Sequence, residues 1–401
     1  WLKSGSPAWR TEIPGAGLSQ PILFEGSIYL TTAIGPGVVR PKSMQSGVTD
    51  PSTMGRPNVP KEKLQFQLLK LDPRDGSIVW ARTVAEKIPT IGTHASNSYA
   101  TETPCAADGK IYAYFGATGD LAAFDTDGKE LWKKDFGPQQ ISNQFGTGAS
   151  PAIHDGRLFL PRFNEKEGRI VCLDAATGAE QWSSQGKEGT SWATPVIWSN
   201  QGTLEVVAGA QGMVAAYDLA TGVERWRVTG LDTSFSCSVV ADDAGVYFGT
   251  SSPGSKGPIY AIAAGHQGDL SLRDGKTQND GVRWSKTKSG AGMPSPVLVG
   301  DLLYFFGSTV TCYEKGTGVE LYRKRMPEGQ MAAGCPLVVG DKILIVNEQG
   351  RLLLFNAGRE FADPQSLQVG SENEVFWATP ALADNTLLVR SSEALYCLRG
   401  E

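Results

Sequence analysis

The phrase Asp218-Leu-Ala-Thr-Gly222-Val-Glu-Arg-Trp226 returns along this chain, and a recurrence of that kind restricts the fold before any single residue is weighed. Close copies run from Asp174 to Trp182, from Asp125 to Trp132 and from Asp72 to Trp80, and a worn copy runs from Glu314 to Tyr322. Trp284 and Trp9 end two more whose beginnings are altered. The period is loose, at roughly 50 residues, the scale of one four-stranded propeller blade. Each phrase has a mechanical reading. Asp ends a strand and accepts from the N–H groups of a turn, Thr adds a second local acceptor, and Gly takes the left-handed position that reverses the chain. The aromatic residue that follows is expected to wedge between neighbouring blades. Trp9, Trp80, Trp132, Trp182, Trp226 and Trp284 are therefore read as structural repeat positions.

A second element precedes each phrase: a short strand, a tight turn, then a β-branched or aromatic strand. The turns fall at Phe24–Ser27, Ala107–Lys110, His154–Arg157, Ser199–Gly202, Ala241–Gly245, Val299–Leu302, Val339–Lys342 and Ala383–Thr386. Many of the first strands begin with a small residue and a proline, as in Ser150-Pro151, Thr194-Pro195, Ser295-Pro296, Cys335-Pro336 and Thr379-Pro380. Proline cannot donate to a ladder and suits an edge, so these are the innermost strands. The pairs predict an all-β, eight-bladed propeller of four-stranded antiparallel blades occupying residues 1–401 as one domain. The last strand, Ala394–Leu398, reads as the third of its blade, and the segment Ala8–Ile13 is expected to supply the fourth, closing the ring and removing two exposed edges.

Composition narrows the partners. Forty-eight glycines and 23 prolines suit a turn-rich array, and a formal charge of −5 gives no electrostatic reason to expect nucleic acid or an anionic membrane. No apolar run is long enough to span a bilayer. Cys172, Cys312 and Cys397 stand at third-strand positions filled elsewhere by alanine, which reads as small buried hydrophobes rather than a disulfide frame. A start at Trp1 rather than methionine is read as an upstream segment removed, which points to export.

The segment from Ala216 through Trp226 resembles the Ala-x-Asp-x-x-Thr-Gly-x-x-x-Trp repeat of quinoprotein alcohol dehydrogenases and their pyrroloquinoline-quinone-like relatives, and the resemblance runs over essentially the whole chain. It is nearest to uncharacterised secreted bacterial members, which lend no activity. The family implies the propeller and a periplasmic or extracellular location. Its catalytic members hold pyrroloquinoline quinone with calcium on a Glu, Asn and Asp set, under a disulfide of adjacent cysteines. This chain has no Cys-Cys pair and no Cys-x-x-Cys-His, and the calcium set has no matching positions. The resemblance therefore implies a monomeric, exported, non-catalytic binding or scaffold protein without cofactor or metal, for a protein or small-molecule partner. The alternatives are a quinone-dependent oxidoreductase with a divergent site and a glycan binder using Trp192 and Trp377 as platforms.

Strand alternation places blade-to-blade connections and second-to-third-strand connections on one face, where function is expected. The longest insertion, 34–66, falls there; a second, 264–280, lies on the opposite face and is read as decorative. His94, Asn97, Tyr99 and Glu102 form the most polar and aromatic connection. Aligning the innermost strands on their proline, with Ser238 standing in for it in one blade, places Leu18, Thr101, Gly148, Trp192, Phe235, Met293, Ala333 and Trp377 at one level. Trp192, Phe235, Met293 and Trp377 join the candidate ligand-binding set, weighed against a reading of these side chains as packing. Three histidines, at 94, 154 and 266, have no spacing suited to a metal.

Overall fold

A computed structural model describes residues 2, 5–38, 40–42, 59–231, 234–252, 255–289, 292–327, 334–371 and 373–400. Its strands form eight antiparallel sheets in a ring, as the repeats predict. Blade 1 comprises Ile22–Phe24, Ser27–Ile34, Leu64–Leu71 and Ile78–Lys87. Blades 2 to 7 repeat this order, and blade 8 runs Ala381–Ala383, Thr386–Arg390, Ala394–Arg399 and then Trp9–Glu12. Trp9 stands opposite Cys397 and Glu12 opposite Ala394, so the two ends of the chain share one sheet.

The repeated phrase has a geometric cause. In five blades the indole of the outer strand lies against the glycine of the next blade's turn: Trp9 on Gly76, Trp80 on Gly128, Trp132 on Gly178, Trp182 on Gly222 and Trp284 on Gly318. The indole N–H then donates to a carbonyl of that same turn, from Trp9 to Pro73 at 3.0 Å, Trp132 to Ala175 at 3.0 Å, Trp182 to Leu219 at 3.2 Å and Trp284 to Lys315 at 2.8 Å. A Cβ on Gly222 would stand 2.5 Å from the Trp182 ring, and the residue's φ is +73°, so the position needs glycine for two separate reasons. Across the sheet most of the outer-strand aromatics face small residues: Trp132 opposite Ala123, Trp182 opposite Cys172, Trp226 opposite Ala216, Trp284 opposite Ala261 and Tyr322 opposite Cys312. Each of these pairs is followed by a β-bulge. The third-strand cysteines are thus small partners to a large ring, and all six cysteines are free thiols.

A belt of hydrogen bonds explains the small residue before each proline. The backbone N–H of each such residue donates to the side chain of its counterpart one blade on: Gln20 to Thr103, Thr103 to Ser150, Ser150 to Thr194, Thr194 to Ser238, Ser238 to Ser295, Ser295 to the Cys335 thiol and Cys335 to Thr379. The Gln20 amide reaches Pro380 O at 3.0 Å and completes the circuit. The belt needs a short side chain with an acceptor atom and a strand end whose N–H is otherwise unpaired, which is the edge position that the prolines mark.

Residues 264–280 are more than decoration. Gly268–Asp269 adds a parallel fifth strand to the outer edge of blade 4, beside Trp226 and Arg227, and Leu270 packs into the blade 4/blade 5 core. Of the long insertion 34–66, residues 39 and 43–58 lie outside the described residues.

Candidate functional site

The face predicted to carry function holds the blade-to-blade connections, and three of them interlock. The connection from blade 2 to blade 3 makes a single 3-10 turn, Ser142–Gln144, in which Asn143 and Gln144 both adopt left-handed backbone, at φ 51° and 54°. Both side chains are exposed. Two consecutive non-glycine residues in that region cost free energy and persist only where neighbours impose them. The neighbours are visible. The Asn97 amide donates to Phe145 O at 2.9 Å and Thr147 O at 3.1 Å, Trp192 Nε1 donates to Gly146 O at 2.8 Å, and Ser142 N–H donates to Thr190 Oγ1 at 2.8 Å. Phe145 is held between His94, at a centroid distance of 5.3 Å, and Trp192, at 6.3 Å.

The sequence candidates separate on this geometry. His94, Asn97 and Trp192 come together, half-buried, around Phe145. His94 Nδ1 lies 2.7 Å from Ser96 Oγ, and burial pulls its pKa below the ordinary imidazole value. Tyr99 goes inward: it is 4% exposed, packs in the blade 1/blade 2 core and donates to Ile91 O at 3.0 Å. Glu102 is also interior, with Oε1 accepting from Gly116 N–H at 3.1 Å, and burial pushes its pKa up to about 7. Met293 is half-buried beside residues 290–291, which lie outside the described residues, as does Ala333. Trp377 stands in the blade 7/blade 8 connection, its indole donating to Glu348 Oε1 at 2.9 Å.

Phe235 is misplaced by one residue in the sequence alignment. The hydrogen-bond belt runs through Ser238, so Val239, not Ser238, takes the proline position and Ser236 takes the level assigned to Phe235. Strand alternation then turns Phe235 away from the mouth: it is 0% exposed and packs on Gly209 and Phe248. The same shift moves Cys237 off the belt, and its thiol donates to Gly249 O at 2.9 Å. Phe145, by contrast, escaped sequence reading, because a single aromatic in a Gly- and Gln-rich connection carries no periodic signal.

A family model for the outer membrane protein assembly factor BamB matches residues 117–279. BamB of Yersinia pestis is 25% identical over 212 residues, covering 49% of this chain and 50% of that protein. BamB of Moranella endobia is 23% identical over 212 residues, with the same coverage. The match thus spans about half the length of these curated relatives. Among solved structures, BamB from Moraxella catarrhalis superposes with a TM-score of 0.61 at 13% identity, covering 98% of this chain and 99% of that one. A europium-containing methanol dehydrogenase does so with a TM-score of 0.58 at 12% identity, covering 98% of this chain and 86% of that one. Together these likenesses support a β-propeller of the pyrroloquinoline-quinone-like repeat type.

Among the described residues no group of three or more His, Cys, Asp or Glu side chains is placed to hold a metal ion. The buried acids of this face serve the fold instead. Glu102 takes the Gly116 N–H, Glu348 takes the Trp377 indole, and Glu374 accepts from Tyr396 at 2.6 Å and from Ser391. Burial alone would raise the Glu374 pKa, but these donors outweigh it and hold the carboxyl below its ordinary value. Among the described residues no helix is long and apolar enough to cross a membrane.

Proposed function

We propose that this propeller is an exported, non-catalytic scaffold that binds a protein partner through the face bearing its blade-to-blade connections. The observation that carries the reading is the contrast between the two faces. The opposite face spends its turns on blade docking, five indoles being seated on the next blade's glycine, as with Trp182 on Gly222. The connection face presents half-exposed and exposed side chains of varied chemistry on a backbone fixed by Asn97, Thr190 and Trp192. Rigid display of a few anchors among polar neighbours suits macromolecular recognition, since less ordering is required on binding. Relatives named as an outer membrane protein assembly factor support a partner of that kind.

Hydrogen exchange of the full chain, alone and with outer membrane assembly proteins of its own host, tests the reading. Protection gathering on residues 94–102 and 141–148 supports it, and protection on 264–280 and the docking turns overturns the choice of face. A parallel calorimetric titration with pyrroloquinoline quinone and calcium is expected to show no saturable heat. Stoichiometric binding accompanied by dye-linked alcohol oxidation replaces the scaffold with an oxidoreductase.

A further inference from the structure

We propose that the connection 136–151 forms a binding site for a neutral oligosaccharide, with Phe145 and Trp192 as the stacking platform and Asn143 and Gln144 as the hydroxyl-reading groups. Three independent observations converge on this loop. Its backbone is strained at Asn143 and Gln144, at φ 51° and 54°, yet both side chains point to solvent, so no internal contact of those side chains accounts for the strain. Strain held in place by surrounding structure is a recurrent property of ligand clamps. The second observation is the aromatic set: Phe145 is flanked by His94 at 5.3 Å and Trp192 at 6.3 Å, the latter near edge-on at 75°. All three rings are half-buried, so each keeps part of its surface open to solvent.

The third observation decides the ligand class. From Phe136 to Pro151 the connection contains no Asp, Glu, Lys, Arg or His, and its polar side chains are amides and hydroxyls. A charged peptide or an anionic ligand finds no complementary group on that segment. A pyranose does match it. One face of the sugar ring is a patch of C–H groups suited to the negative face of an aromatic ring, and its equatorial hydroxyls both donate and accept, as the amide of Asn or Gln does. The frame is fixed in advance by the Asn97, Thr190 and Trp192 hydrogen bonds, so little ordering is needed on binding. Trp377, held separately by Glu348, is outside this site. The inference does not rest on the scaffold reading.

The test is calorimetric titration of the full chain with cellotetraose and with chitotetraose, two neutral oligosaccharides that differ in N-acetylation. The expected result is saturable binding of at least one of them at millimolar or lower concentration. Phe145→Ala should weaken it at least about tenfold, and so should Gln144→Gly. The second variant removes the amide while relaxing the left-handed backbone, so its fold is retained and its melting transition should not fall. Trp377→Phe should leave the binding unchanged. The proposal is overturned if neither sugar gives a saturable signal up to about 10 mM. It is equally overturned if Gln144→Gly and Phe145→Ala bind as the parent does, if Trp377→Phe abolishes binding, or if the loop takes up only a polypeptide.

Discussion

The indole nitrogen of Trp226 donates to Glu205 Oε2 at 2.8 Å, the exception among the outer-strand tryptophans, whose indoles otherwise bond to a carbonyl of the neighbouring blade's turn. The cause lies in the next blade. Blade 5 replaces the Asp-x-x-Thr-Gly turn with the insertion 264–280, so Trp226 has no glycine to dock on. It turns instead to a carboxylate on its own sheet, and Asn200 bonds the other oxygen at 3.0 Å. The insertion closes over it, leaving Trp226 only 1% exposed and edge-on to Trp198.

Trp226→Ala should therefore cost about 3–5 kcal/mol, the range for deleting a buried aromatic, with a donor of Glu205 lost as well. Equilibrium denaturation in urea measures it. A loss under about 1 kcal/mol would mean that the surrounding core collapses into the space and that the indole is not a wedge.

Gly222→Ala separates docking from backbone strain. Its Cβ would meet both the Trp182 ring and the Ser184 hydroxyl, whereas a Cβ on Gly109, at φ +69°, meets nothing within 4 Å. Gly109→Ala should cost about 1–2 kcal/mol for the left-handed backbone alone, and Gly222→Ala should cost at least about 1 kcal/mol more. Equal melting shifts for the two variants would show that the indole yields freely.

The fold was legible because its signals repeat. A glycine fixed by an approaching indole, a small residue opposite that indole and a short acceptor before a proline each recur in most blades, and recurrence lifts a weak local preference above noise. The site was only partly legible. Asn97 and Trp192 stand out in the sequence as candidate ligand-binding residues, but in the structure they clamp the loop that carries Phe145, and nothing local to Phe145 announces the clamp. Tyr99 and Glu102 look like surface chemistry in sequence and are interior in space, because the connection is buried as it crosses into the next blade, with Ser98, Tyr99, Ala100 and Glu102 all inside. Phe235 went astray for want of one proline, since a slip of one residue reverses which face a strand residue takes.

Glu102 gives the chain a built-in pH dependence. Burial raises its pKa from 4.5 to about 7 in the folded state, so between those values the native protein holds a proton that the unfolded chain has released. Stability contributed by this residue is therefore fully present below about pH 4.5 and is lost as pH rises through 7. The loss is on the order of 2–4 kcal/mol. Glu102→Gln cannot ionise and should flatten that segment of the stability profile, being more stable than the parent at pH 8 and close to it at pH 5. Denaturation midpoints across the range decide it, and parallel profiles for the two proteins would show that Glu102 is not the group responsible.

Ring closure rests on few residues and should fail as a unit. Trp9–Glu12 supplies the outer strand of blade 8, Trp9 lies against Gly76 of blade 1, and Thr11 Oγ1 donates to Gly76 O at 2.8 Å. On the inner side, Arg390 of blade 8 donates to Ser19 O and Thr31 O of blade 1, each at 2.9 Å, while burial pulls its pKa down to about 9. The inner tie does not replace the outer strand, because without residues 9–12 the strand Ala394–Arg399 becomes an open edge beside an unfilled docking turn. Deletion of residues 1–12 should thus lower the melting temperature by about 10 °C or more and drive association through the exposed edge, whereas deletion of residues 1–5 should do neither. Light scattering and calorimetry on the two truncations separate the cases. A monomeric 13–401 chain that melts with the parent would show that Arg390 and the belt suffice to hold the ring shut.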